Sequence, residues 1–144
     1  MKIVVDTNIL FSILIKLNGK TSELFNLLSL KNIFFIAEKT LAELVKHHNK
    51  IIKFSKLSLQ EILLHKHTLL NRNEIIYGKI LPSNAVVSAY DLVKDIDIDD
   101  IAFVATTIHL NAILWTGDKP LFSGLRAKGF QSVYDSPAIQ TLLL

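Results

Sequence analysis

Three runs of this chain, Ile3-Val4-Val5, Ile33-Phe34-Phe35-Ile36 and Ala112-Ile113-Leu114-Trp115, are apolar at every position. A strand wetted on one face alternates apolar and polar residues. One covered on both faces need not, and this is the pattern of a parallel sheet packed between helices. Between the first two runs lie two helical segments, from Asn8 to about Lys16 and from Thr21 or Ser22 to about Leu30. Two helices between two strands form a crossover, and crossovers join parallel strands.

The alternation continues along the chain. Helical spacing runs from about Glu38 to Phe54 through Leu41, Leu44, Val45, His48 and Ile52, and again from Ser58 to Leu70 before Asn71-Arg72-Asn73. Glu74 to Tyr77 is a candidate short strand, and Pro82-Ser83 opens a helix through Val93. Asp99 to His109 is helical, Leu121 to Lys128 is a helix closed by Gly129, and Phe130 to Tyr134 is a last strand. The expected fold is α/β, a three-layer sandwich with a mainly parallel central sheet of about five strands. Half of the 144 residues are hydrophobic, enough for one domain spanning residues 1–144 with a real core.

The chain has no cysteine, which excludes disulfides, thiolate metal sites and cysteine nucleophiles. Its apolar runs fall short of the roughly 18 residues of a membrane span. Only Lys2 follows Met1 before the first apolar run, too little for a secretory signal, so no membrane association and a cytoplasmic location are expected. The net charge of +3 suits a polyanionic partner, yet five of the thirteen acids crowd between Asp91 and Asp100.

In a parallel sheet, ligands gather at the carboxyl ends of the strands. Asp6 ends the first strand there, and Asp118 follows the Ala112–Trp115 strand after a Thr116-Gly117 turn. Asp99 and Asp100 open a helix leading away from the same edge. Crowded carboxylates repel unless a cation neutralises them, and Mg²⁺ or Mn²⁺ takes such oxygen ligands. Metal-assisted phosphodiester hydrolysis is the chemistry this arrangement suggests.

Each acid also has an ordinary explanation. Asp6 with Asn8 fits a turn with a helix cap, Asp97, Asp99 and Asp100 fit the positive end of a helix dipole, and Asp118 fits a loop acid beside Lys119. Thr40-Leu41-Ala42-Glu43 fits a capping box, and Glu43 lies opposite the apolar stripe, so the local pattern makes Glu43 a solvated residue.

The segments VVDTNILFSILI, TLAELVKHH, DIDDIAFVATTIHLNA and ILWTGDKPL, in this order, resemble the PIN domain family of ribonucleases. The likeness extends over nearly the whole chain to GLRAKGF, and is strongest to prokaryotic members with a double aspartate before Phe-Val-Ala. It implies a metal-dependent endoribonuclease in which Asp6, Glu43, Asp100 and Asp118 hold Mg²⁺ or Mn²⁺, supported by Thr7, Asn8 and Thr116. It reverses the local reading of Glu43. It selects Asp100 over Asp99 by the distance to Val104-Ala105, leaving Asp97 and Asp99 as accessory candidates. Many prokaryotic members are toxins of VapC-type toxin-antitoxin pairs, which implies a small protein antitoxin and often a homodimer. Two positions depart from the pattern: Ala37 stands where relatives often carry serine, and Trp115-Thr116-Gly117-Asp118 lacks the asparagine that many place before the last acid.

Lys46, Lys50 and Lys53 recur at i, i+4, i+7 beside Glu43, a ridge expected to guide an RNA backbone or else only to solubilise the surface. None of the five histidines is assigned to catalysis: His47-His48 and His65-x-His67 lack the i, i+4 spacing of a zinc pair, and His109 sits late in a helix. Two other functions compete. One is a non-cleaving RNA-binding or protein-interaction module. The other is a phosphatase with Asp6 as nucleophile and Lys119 as phosphate clamp, against which Asn8 occupies the place of the required second aspartate. The apolar tail Leu142-Leu143-Leu144 fits either the core or a neighbouring subunit.

Overall fold

The computed structural model describes residues 1–144. Five strands, β1 (Lys2–Val5), β2 (Ile33–Ala37), β3 (Glu74–Ile76), β4 (Ile113–Trp115) and β5 (Val133–Tyr134), form one sheet in the order β3-β2-β1-β4-β5. Every pairing is parallel, as the unbroken apolar runs require. From β1 the chain builds outward to β2 and β3, then crosses to β4 on the other side. The strand order therefore reverses between β1 and β4, and a crevice opens at their carboxyl ends.

Strand residues point alternately to two cores. Ile3, Val5, Phe34, Ile36, Ile113 and Trp115 face one side, packed by helices α1 (Thr7–Ile15), α2 (Lys20–Leu28), α3 (Glu38–Lys46), α4 (His48–Ser55) and α5 (Leu59–Leu70). Val4, Phe35, Ala37, Leu114 and Val133 face the other, against α6 (Ser83–Val93), α7 (Ile101–Leu110) and α8 (Lys119–Ala127). Phe25 stacks on Phe34 with ring centroids 4.3 Å apart, and Trp115 beside them is fully buried. No helix is long and apolar enough to cross a membrane.

Four expectations change. The helix anticipated over 38–54 is two helices that break at His47, whose φ of −97° and ψ of 12° leave the helical range. The bend lets Leu44 on α3 and Ile51 on α4 both reach the core, at 1% and 0% exposure. The capping box lies at Ser58 and Glu61 on α5, not at Thr40 and Glu43, because α3 starts at Glu38 and Thr40 is inside it. The last strand starts at Val133 because the Phe130 N–H closes the end of α8 on the Leu125 carbonyl at 3.0 Å, with Gly129 left-handed at φ +86°.

The fourth change is an unforeseen helix, α9 (Ser136–Leu143). Asp135 caps it by accepting the Ala138 N–H at 2.9 Å, Pro137 fits its first turn, and Ile139 is fully buried in the first core. Trp115 Nε1–H donates to Ser136 Oγ at 3.1 Å, tying α9 to the sheet. Of the apolar tail, Leu143 packs on this core while Leu142 and Leu144 are exposed.

Candidate active site

The register pairs Val5 with Trp115, so Asp6 and Thr116 leave the sheet side by side at the point of reversal. Asp6 stands just ahead of α1, but its carboxylate does not cap that helix. Its Oδ2 accepts the Thr116 hydroxyl at 2.6 Å and Asn8 Nδ2–H at 3.3 Å. Asn8 is not the helix cap that its position suggested: α1 begins one residue earlier, so the Asn8 side chain spans two loops and its Oδ1 accepts Gly117 N–H at 3.0 Å. Thr116 Oγ1 accepts Asp118 N–H at 3.0 Å, and Asp118 Oδ1 caps α8 by accepting Leu121 N–H at 3.0 Å. The strand ends that carry Asp6 and Asp118 are thereby locked together.

A 3-10 turn, Ile98–Asp100, delivers the third acid at the head of α7. Asp97 Oδ1 accepts Asp99 N–H at 2.9 Å and starts the turn, and Lys39 Nζ donates to the Asp99 carbonyl. Asp97 and Asp99 are exposed, whereas Asp100 is buried and its Oδ2 has no hydrogen-bond partner. Burial pushes Asp100 up to about 7, helped by the charges of Asp6, Asp97 and Asp118 and opposed by Lys39. Asp6 rises to about 6, first through burial and then through the charges of Glu43 and Asp118, while the Thr116 hydrogen bond holds it down.

Glu43 comes from the middle of α3. Its Oε1 lies 3.2 Å from Thr7 Oγ1, which lies 3.1 Å from Thr40 Oγ1. Thr7 has one hydroxyl proton, so when it donates to the Glu43 carboxylate the Thr40 hydroxyl turns to donate to Thr7 Oγ1. Ala37 precedes α3 without a side-chain cap, as its replacement of serine implied.

Asp6, Thr7, Asn8, Glu43, Asp97, Asp99, Asp100 and Asp118 line one cavity of about 430 Å³. Lys46 and Lys50 line it as well, but Lys53 does not, and its ammonium lies 5.6 Å from the Phe54 ring. Lys119 is also off the cavity, which removes the phosphate clamp that a phosphatase would need. Thr116 is fully buried beneath it. Lys39, Phe11, His47 and Phe103 complete the lining and were not assigned to the site from the sequence; the packing of α1, α3 and α7 and the helix break at His47 bring them there, and no local pattern announces either.

The cavity tests whether the residues suit a divalent cation. No three acidic or histidine side chains are gathered tightly enough to clasp one ion as they stand. The chemistry of the set nonetheless fits one: all the acidic donors are hard oxygens, Asp100 Oδ2 is buried without a partner, and burial, reinforced by the charges of neighbouring carboxylates, raises Asp6 and Asp100.

Comparison with known proteins agrees with this architecture. The PIN domain family profile matches residues 4–135. A search of curated proteins finds no match. Among solved structures, a chain of VapBC2 from Rickettsia felis, crystallised bound to a DNA fragment from the promoter, superposes with a TM-score of 0.64 at 20% identity, covering 94% of this chain and 98% of that one.

Proposed function

The chain belongs to the PIN domain family, and from that premise we propose that it is an endoribonuclease dependent on Mg²⁺ or Mn²⁺. The observation that carries this reading is the convergence of Asp6, Glu43, Asp100 and Asp118 from four separate elements on one cavity at the sheet's point of reversal. A fold has no structural need for four acids at one place, and their mutual repulsion disfavours the metal-free state.

Asp6, Asp100 and Asp118 would hold the cation, with Glu43 beside it directly or through water. Bound there, the ion supplies Lewis-acid activation of water and neutralises charge building on the phosphate. Thr116 and Asn8 fix the Asp6 carboxylate by the 2.6 and 3.3 Å hydrogen bonds, and Thr7 orients Glu43. With Oε1 held by Thr7, the other carboxylate oxygen of Glu43, Oε2, would take a proton from the attacking water. Asp97 and Asp99 add negative potential at the mouth, and Lys46 and Lys50 draw the RNA backbone towards it. Lys53, off the cavity, contributes to affinity only at longer range.

The similarity in fold to VapBC2 supports a further assignment, the toxin of a toxin-antitoxin pair with a small protein antitoxin and a homodimeric form. A second reading, a non-cleaving RNA-binding module, is favoured by one observation, that no three of the acids sharing the cavity stand close enough together to clasp one ion. Cleavage of a panel of structured RNAs separates the two. We expect wild-type protein to cleave with Mg²⁺ or Mn²⁺ and Asp6→Asn to lose about a hundred-fold or more of that rate. Equal cleavage by both proteins would contradict the proposal.

A further inference from the structure

Two rings in the cavity have no part in the chemistry above. Phe11 of α1 and His47 at the α3–α4 junction have centroids 6.1 Å apart and planes at 77°. Both are half-buried: Phe11 packs on the core, and the His47 main chain is held by its N–H donating to the Glu43 carbonyl at 3.0 Å and its carbonyl accepting the Ile51 N–H at 3.1 Å. Phe103, the cavity's other aromatic residue, is only 2% exposed and offers no face. Lys46 and Lys50, which flank His47 in the chain, line the same cavity.

Aromatic rings beside cationic side chains are what a single nucleic acid strand binds. Its phosphates follow the charge, and an unstacked base lies on a ring. A base within a duplex cannot do this, because its faces are covered by its neighbours. The near-perpendicular pair makes a corner, so a base lying flat on one ring meets the other edge to face, a favourable aromatic geometry. We propose that Phe11 and His47 form a subsite for one unpaired base of single-stranded RNA, adjoining the acidic centre, with Lys46 and Lys50 on the neighbouring phosphates; this rests on the ribonuclease reading.

The test uses short single-stranded RNA carrying 2-aminopurine, whose fluorescence is quenched by stacking, bound to the Asp6→Asn protein to avoid cleavage. Binding should quench the probe, and His47→Ala should abolish the quenching and weaken binding by about five- to a hundred-fold. His47→Trp should restore both, which a merely structural His47 would not allow, and the same RNA in a duplex should bind without quenching. Phe11→Leu, which keeps most of the core volume, should weaken binding in the same direction. Quenching and affinity unchanged by His47→Ala, or a duplex bound as tightly as the single strand, would overturn the subsite. In the otherwise wild-type protein, His47→Ala should raise KM with little change in kcat. If wild-type protein cleaves RNA and His47→Ala is indistinguishable from it, the subsite alone falls. If wild-type protein cleaves nothing while the quenching pattern holds, the ribonuclease reading falls and the subsite stands.

Discussion

Asp6 carries a carboxylate at the buried end of a strand, and Thr116 sets much of what that charge costs. The 2.6 Å hydrogen bond favours the ionised form, against burial and the charges of Glu43 and Asp118. A hydrogen bond to a charged group contributes about 1.5–3 kcal/mol, and 1.36 kcal/mol corresponds to one pH unit. Thr116→Val should therefore move Asp6 above its value of about 6 by roughly one unit or more. Carboxyl-carbon NMR titration of the metal-free protein should show that shift; an unmoved titration would mean that the Thr116 hydrogen bond does not set the charge on Asp6. At this scale the sequence was uneven. Asp6 and Asp118 were readable because each follows a strand end, where topology decides position; the Asp99-Asp100 pair was readable as a helix start, but only family likeness chose Asp100 from it. Glu43 was not, because a mid-helix acid next to lysines looks solvated, and only family likeness pointed inward. Phe11, Lys39 and His47 were unreadable because the angles between helices bring them to the cavity.

At the scale of elements, the apolar runs placed the strands and the crossovers fixed their direction. The break at His47 escaped notice because the apolar spacing continues across it, from Leu44 to Ile51 and Ile52, even though the helix axis does not. It matters for function, since it sets His47 and Lys50 on the cavity that also holds Glu43. Helix α9 had a signal, Asp135-Ser136-Pro137, that matches a cap followed by proline in the first turn. With Ile139 fully buried, Ile139→Ala should cost about 2–5 kcal/mol and lower the denaturation midpoint at unchanged m-value. A loss under about 0.5 kcal/mol would show that α9 adds little to the core. Lysine effects should follow the cavity: removing Lys46 and Lys50 should weaken RNA binding at low salt more than removing Lys53, which tests the ridge as measured affinities against salt concentration.

For the whole molecule, the buried acids make stability depend on pH. Asp6 and Asp100 are raised from 3.8 to about 6 and about 7, so between roughly pH 4 and 7 the native state keeps protons that the unfolded chain has released. Stability from these groups is then fullest at low pH and falls as pH rises through that window. For Asp6, a change of about two units amounts to a loss on the order of 3 kcal/mol by pH 8. Asp95 works in the opposite sense, held down by its hydrogen bond to Lys128, but it is fully exposed and its effect is small. Chemical denaturation at pH 4.5 and pH 8 should show this loss in the wild type and a flatter slope in Asp6→Asn and Asp100→Asn. At pH 8, Mn²⁺ should restore stability to the wild type and less to either variant.

The most direct test of the central claim is anomalous diffraction from crystals soaked in Mn²⁺ at a pH well above 7, beyond the raised values of both Asp6 and Asp100. The account predicts an anomalous peak at about 2.1 Å from carboxylate oxygens of Asp6, Asp100 and Asp118, those side chains having turned towards it, with Glu43 bound directly or through water. A peak elsewhere, or none at a soak concentration that loads other sites, would contradict it.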